Sequence, residues 1–246
     1  MIAKTEEDFQ GLREIGEICG TIRNKLVQTA KPGITTKELD TIAEKLFEQS
    51  EAQSAPKGVY DFPGQTCISV NEEVAHGIPG DRAIQEGDLI NIDVSGSKNG
   101  YFADTGVSFV IGSAEPVLQK ICDAAKEAFD AGLEKAKPGA KKSALGKAVH
   151  NVAKQHGLTV IKNLTGHGIG RSIHEPPEHI FNYFSRWDDE ILKDGAVIAF
   201  EPFISTFEEE VFPAEDGWTL LTDDSYVAQY EHTIILTRDG PIITTL

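Results

Sequence analysis

Gly87-Asp88-Leu89-Ile90-Asn91-Ile92-Asp93, followed by Asp104-Thr105, is matched about a hundred residues later by Gly195-Ala196-Val197-Ile198-Ala199-Phe200-Glu201, followed by Glu231-His232-Thr233. In each stretch an apolar run delivers a carboxylate six residues after the glycine that opens it. His76-Gly77-Ile78 precedes the first stretch and His167-Gly168-Ile169 the second. Four carboxylates and several imidazoles recurring in this order point to a metal site shared between two related halves.

The repeat extends to a segment without chemistry. Lys31-Pro32-Gly33 with Leu39, Ile42 and Leu46 reads against Lys137-Pro138-Gly139 with Leu145, Ala148 and Val152, at a constant offset of 106 residues. Each half is therefore predicted to contribute a helix ending near Lys-Pro-Gly and then a second amphipathic helix. The offset is 91 at His76/His167, 108 at Asp93/Glu201 and 127 at Asp104/Glu231, so loops vary while elements persist. The expectation is a single catalytic domain over residues 1–246, made of two related halves of about 1–115 and 116–246, with the site at their pseudo-two-fold interface.

The carboxylates fall on predicted strands. Asp88 to Val94 and Phe102 to Ile111 flank Ser97-Lys98-Asn99-Gly100, and Asn-Gly between two β-rich runs is a strong hairpin signal. Ile90, Ile92 and Val94 then share one face, leaving Asn91, Asp93 and Ser95 on the other, and Asp93 and Asp104 are expected to face each other across the hairpin. Two acids buried together with no basic residue nearby repel unless a cation neutralises them. Ala196 to Phe200 reads as a buried strand ending on Glu201, and Val227 to Thr237 as one long strand with Glu231 inside it. His232, one residue on, points to the opposite face, where a structural hydrogen bond is expected. His150, His156 and His179 have no partner in the repeat and are assigned surface or cap roles. The glycines of Thr165-Gly166-His167-Gly168-Ile169-Gly170 fit neither the dinucleotide fingerprint nor a phosphate loop.

Composition excludes other classes. The 246 residues are 40% hydrophobic, enough for a substantial core, and no low-complexity run divides them. Residues 1–14 hold Lys4, Glu6, Glu7, Asp8 and Arg13 without an apolar segment, so no signal peptide is expected. No run of 18 apolar residues is present to span a membrane, and a cytoplasmic location is expected. Cys19, Cys67 and Cys122 are scattered and odd in number, which fits reduced thiols. A net charge of -16 argues against nucleic-acid binding, which needs a basic surface.

Taken together, Asp93, Asp104, His167, Glu201 and Glu231, with His76 in Ala75-His76-Gly77-Ile78-Pro79 and His174 in His174-Glu175-Pro176-Pro177, closely resemble the methionine aminopeptidases of the short bacterial type I form. The resemblance covers essentially the whole chain, including Cys67-Ile68-Ser69-Val70-Asn71-Glu72, Asn91-Ile92-Asp93-Val94, Glu201-Pro202-Phe203 and Gln229-Tyr230-Glu231-His232-Thr233. It implies the pita-bread α/β (α+β) fold, a pseudo-two-fold duplicated antiparallel sheet with helices on its outer face. The 27 residues from His174 to Glu201 leave no room for the helical insertion of the type II enzymes.

The resemblance also implies roles. Asp104 and Glu231 would be shared by two divalent ions, with Asp93 completing one site and His167 with Glu201 the other. One imidazole, four carboxylates and no thiolate suit Mn, Fe or Co. Glu201 would move the proton of the attacking water, His174 would donate to the developing oxyanion, and His76 would contact the scissile nitrogen or the next residue. Phe62, Cys67 and Trp218, with Val59 and Ile173 nearby, match the pocket for the methionine side chain. Cysteine and aromatic rings suit a polarisable sulfur. Two positions depart from the family pattern: Ile173 stands where phenylalanine is frequent, and Val59 where tyrosine is. The implied partners are a peptide or nascent polypeptide substrate and a transient ribosome encounter, with no nucleic acid bound, no membrane, and a monomeric enzyme. Two other readings share part of these features. A proline-specific aminopeptidase or prolidase would have the same ligands, and an inactive relative serving as a binding module would have lost some of them.

Overall fold

Helix ends are written into the chain as reciprocal caps. In the computed structural model, which describes residues 1–246, the Thr5 side chain caps α1 (Glu6–Thr29) while Asp8 reaches back to the Thr5 amide, and Thr35 with Glu38 does the same for α2 (Thr36–Gln49). α1 stops before Lys31-Pro32-Gly33, where Gly33 takes φ +93°. The chain continues through β1 (Gln53–Ser54), α3 (Ala55–Tyr60), β2 (Cys67–Val70), β3 (Glu73–Ala75), β4 (Leu89–Lys98) and β5 (Tyr101–Val110). A second pair of helices follows, α4 (Pro116–Leu133) and α5 (Lys142–Gln155), again separated by Lys-Pro-Gly with Gly139 at φ +86°. Then come β6 (Thr159–Val160), β7 (Gly166–Gly168), β8 (Glu175–Ile180), β9 (Val197–Phe200), β10 (Phe203–Ser205), β11 (Phe212–Pro213), β12 (Leu220–Leu221), β13 (Val227–Gln229), β14 (His232–Ile235) and β15 (Ile242–Ile243).

The two Lys-Pro-Gly turns dock alike. The Gly33 amide donates to the Ile84 carbonyl and the Gly139 amide to that of Leu192, each acceptor lying three residues before the glycine that opens a carboxylate strand. The Thr36 amide donates to the Arg82 carbonyl, and the Lys142 amide to that of Glu190. Every strand pair is antiparallel: β4 runs between β5 on one edge and β1 with β2 on the other, and a five-stranded sheet has the order β15-β14-β9-β7-β8. α1 and α2 bury Leu12, Ile15, Leu39 and Phe47 against Ile90, Ile92 and Val94, while α4 and α5 bury Ile121, Phe129, Leu145 and Val149 against Ile198, Phe200 and Ile234. This is the pita-bread arrangement, with helices outside and the polar strand faces turned toward each other. No helix is long and apolar enough to cross a membrane.

Four details differ from the periodicity argument. Asp93 pairs with Gly106 and Asp104 with Ser95, so the two acids share a face diagonally and are not directly opposed. The predicted strand from Val227 to Thr237 is broken at Tyr230-Glu231, and its partner at Glu201-Pro202: β13 pairs with β10 before the break and β14 with β9 after it. Proline offers no amide to the ladder there. Both second-half carboxylates therefore stand at a kink, and β5 fills it, with the Glu231 amide donating to the Gly106 carbonyl at 2.8 Å. The third difference concerns His76. Within the registers, Asn91 lies opposite Ser69 and Ala199 opposite His167, each two residues before its carboxylate. Ser69, not His76, is thus the positional counterpart of His167, and His76 lies beyond β3. The fourth is the hairpin, whose ends are Lys98 and Tyr101; Asn99 and Gly100 form its turn at φ +52° and +75°.

His232 has the structural role its strand position predicted: its Nδ1 lies 2.8 Å from the Thr245 hydroxyl and its ring meets Phe129 edge-on at 5.3 Å. Thr233 stitches the halves together. Its hydroxyl accepts from the Asp104 amide at 2.8 Å and donates to the Asp104 carbonyl at 2.9 Å, fully buried. Thr233→Val keeps the shape but strands both groups, so stability falls by about 2–4 kcal/mol, read as a lower urea midpoint at unchanged slope. An unchanged midpoint would mean that Asp104 is held by other means.

Candidate metal centre

The polar faces of β4, β5 and β7 and the two strand kinks converge on one cavity of about 470 Å³, in the usual range for a small-ligand site. Asp93, Asp104, His167, Glu201 and Glu231 all line it, together with His76, His174, Phe62, Cys67 and Trp218. Asp104, His167 and Glu231 are buried and offer ligand atoms within 4.8 Å of one another, a group able to hold a cation. His167 Nε2 stands 3.9 Å from Asp104 Oδ2 and 3.6 Å from Glu201 Oε1.

Neutral donors hold the acids. Ser95 donates to Asp104 Oδ1 at 2.7 Å, and the Gln229 side-chain amide donates to both Glu201 and Glu231 at 3.2 Å. Gln229 is itself fixed by Asn91, whose amide donates to it at 2.8 Å. Behind this layer stands Arg23, which donates to the Thr105 hydroxyl, which in turn donates to the Glu231 carbonyl at 2.9 Å. It neutralises none of the carboxylates directly.

Burial, then the charge of Asp104, pushes the Asp93, Glu201 and Glu231 carboxyls well above the ordinary range. Burial lowers His167 to about 4, so its ring is neutral, as a metal ligand must be. Asp93 Oδ1 is buried with no hydrogen-bond partner. An orphaned carboxylate oxygen, three acids resisting ionisation and a neutral imidazole fit a divalent cation, which would satisfy the oxygen and remove the repulsion.

Around this cluster the remaining predicted residues divide. Cys67 pairs in register with Asp93, so the apolar pocket and the acids share a wall. Phe62 meets Trp218 edge-on at 5.3 Å. The Phe62–Cys67 segment is pinned by Asp40 of α2, which accepts from the Gln65 and Thr66 amides and the Thr66 hydroxyl at 2.8–3.0 Å. Trp218 is carried on the β11–β12 turn, where Asp216 accepts from its amide at 2.8 Å. Ile173 is buried in the lining, but Val59 is 46% exposed and outside it. His76 is at the mouth with φ +56°, a strained conformation for a residue with a side chain, and burial lowers its pKa as it lowers that of His174.

His179, expected at the surface, lines the mouth with Glu178, its Nδ1 3.1 Å from the Thr165 hydroxyl. His156 has the expected end-of-helix position, 2.8 Å from Glu127. Residues beyond the predicted ligands complete the site: Gln229, Asn91, Ser95 and Tyr60, whose hydroxyl is 2.7 Å from His174 Nδ1. Strand period two puts Asn91 and Ser95 on the face of Asp93, and the same period carried back across the kink from Glu231 reaches Gln229. Nothing local points to Tyr60.

The model of metallopeptidase family M24 matches residues 10–238. A methionine aminopeptidase of Staphylococcus epidermidis is 59% identical over all of this chain and 98% of its own length. Methionine aminopeptidase 2 of Bacillus subtilis is 50% identical over all of this chain and 99% of its own. The crystal structure of a methionine aminopeptidase from Thermotoga maritima superposes with a TM-score of 0.95 at 30% identity, over all of this chain and 99% of that one.

The raised carboxyls make the metal's effect depend on pH. Below about pH 4, the ordinary carboxylate value, these acids are protonated in both folded and unfolded chains. As pH rises toward their raised folded values, the unfolded chain gives up its protons first, so the metal-free fold loses stability across that window. Cation binding favours the deprotonated native cluster. The melting-temperature gap between Mn(II)-loaded and chelator-treated protein therefore widens from about pH 5 to about pH 7.5. A gap that narrows with rising pH would contradict this assignment of the cluster.

Proposed function

The chain belongs to metallopeptidase family M24, and from that premise we propose that it is a methionine aminopeptidase, removing the N-terminal methionine of nascent proteins and peptides with a small second residue. One observation carries the reading: Cys67, in a pocket with Phe62 and Trp218, stands in register with Asp93 at the acid cluster. A chain end whose unbranched side chain fills that pocket presents its amine to the acids. We take residues 1–246 as one catalytic domain of two related halves, about 1–115 and 116–246.

Two divalent ions, Mn, Fe or Co by the donor set, would be held by Asp93, Asp104, His167, Glu201 and Glu231, with Asp104 and Glu231 serving both. When bound, they supply Lewis acidity toward the scissile carbonyl and the attacking water. Glu201 takes the water proton and passes it to the leaving amine. His174 donates to the carbonyl oxygen as negative charge develops. His76, held at the mouth, contacts the scissile nitrogen or the residue after it and limits the room there. A free amine is required because only an unblocked chain end can engage the Asp93 side of the cluster. We assign the enzyme to the cytoplasm as a monomer whose net charge of -16 keeps any ribosome encounter transient.

Met-Ala-Ser is expected to be cut far faster than Met-Leu-Ser, because a bulky second residue crowds His76. Norleucine is accepted in place of methionine, and N-formylated or acetylated methionine is refused. Chelation abolishes turnover, and Mn(II), Fe(II) or Co(II) restores it. Preference for Ala-Pro or Arg-Pro-Pro over Met-Ala-Ser in a head-to-head assay would replace this reading with the prolyl one.

His174→Ala separates donor from ligand. It is expected to keep its metal while kcat falls on the order of 10²–10³, the loss usual for one oxyanion donor. Metal loss in proportion to activity would mean that His174 is itself a ligand.

A further inference from the structure

His167 and His174 are neighbours, with ring centroids 4.2 Å apart and the rings tilted by 50°, yet the reading above asks opposite things of them. His167 must offer a lone pair on Nε2, and His174 must offer a hydrogen. Which nitrogen of a neutral imidazole carries the proton is set by what the other nitrogen meets. His167 Nδ1 meets the Gly168 carbonyl at 3.0 Å. A carbonyl can only accept, so Nδ1 keeps the hydrogen and Nε2, facing Asp104 and Glu201, is left bare.

His174 Nδ1 meets no carbonyl. It meets the Tyr60 hydroxyl at 2.7 Å, with the rings 5.8 Å apart and tilted. Tyr60 is the last residue of α3, whose N-terminus Ser54 caps, and the chain turns away at Asp61 with φ +58° before Phe62 enters the pocket. The ring is thereby set on the lip of the cavity, 42% exposed. Its hydroxyl hydrogen has no other acceptor in the protein, and an oxygen-to-nitrogen distance of 2.7 Å is that of a well-formed bond.

We propose, on the reading of the site given above, that Tyr60 is a positioning residue for the reaction: its hydroxyl donates to His174 Nδ1, holding the ring in the Nε2–H form that can donate to the substrate carbonyl oxygen. Two adjacent histidines are thus fixed in opposite tautomers by their outer partners, a carbonyl for the ligand and a phenol for the donor.

Tyr60→Phe removes the hydroxyl and keeps the ring. In Mn(II)-loaded enzyme it lowers kcat for Met-Ala-Ser by about 3- to 10-fold, the factor of one ordinary hydrogen bond, at unchanged metal content. KM stays within about twofold, because the lost interaction belongs to the transition state. In the His174→Ala background the same change costs nothing further, as expected if Tyr60 acts through that ring. Ring-¹⁵N spectra of the enzyme loaded with diamagnetic Zn(II) show His174 as a single Nε2–H tautomer that becomes a mixture in Tyr60→Phe. An unchanged kcat, an equal loss in the His174→Ala background, or a wild-type Nδ1–H tautomer would each overturn the proposal. Should the wild type cut no methionyl peptide, the functional reading fails, and the nitrogen spectra still decide whether Tyr60 sets the tautomer.

Discussion

Mutual repulsion among Asp93, Asp104, Glu201 and Glu231 is the constraint around which the chain is built. These carboxylates share a cavity with the neutral imidazole of His167, and the buried guanidinium of Arg23 stands a layer away, bonded to Thr105. Folding them together without a counter-ion leaves an unpartnered oxygen on Asp93 and forces protons onto groups that would ordinarily shed them. The fold tolerates this because the polypeptide around the acids is over-determined. Thr233 grips both backbone groups of Asp104, the Glu231 amide is tied to β5, and Gln229 spans two of the carboxylates. A divalent cation supplies what this arrangement lacks, which is the physical content of membership in a metallopeptidase family.

The same cavity joins two kinds of chemistry. The acids and His167 form a buried polar cluster. Beside them, Phe62, Cys67, Ile173 and Trp218 form an apolar recess. Their meeting point is the Cys67–Asp93 pair across two adjacent strands. The proposed recognition of a chain end draws on this adjacency, because an amine and the side chain on the same carbon must be met simultaneously. The recess is held from outside by α2 through Asp40, and the His174 segment by the Glu175 side chain accepting from the Arg171 amide at 2.8 Å. Arg171 in turn lies over the Tyr101 ring at 3.7 Å and donates to Asp8 at 3.0 Å, so the start of α1 braces a loop at the cavity mouth.

Histidine is used here in several environments. His232 is fully packed and bonded to Thr245, His167 faces the acids with its ring neutral, and His76, His174 and His179 ring the mouth. Their neighbours, more than their sequence motifs, separate these cases. A carbonyl, a threonine hydroxyl or a phenol beside one ring nitrogen decides what the other can do.

Much of this was legible in the chain itself. The repeated carboxylate strands and Lys-Pro-Gly turns, the Asn99-Gly100 hairpin and the alternation of Ile90, Ile92 and Val94 with Asn91, Asp93 and Ser95 are local or periodic signals, and each survives folding. Such signals specify which side of an element a residue occupies. They cannot specify which distant residue stands opposite, because that depends on register between strands and on where a ladder breaks. Hence the kinks at Glu201-Pro202 and Tyr230-Glu231, the match of His167 with Ser69 in place of His76, and the approach of His179 to the mouth emerge only in three dimensions. Tyr60 is the extreme case. Its partner lies 114 residues away, and only the packing of α3 against the sheet brings its hydroxyl to His174.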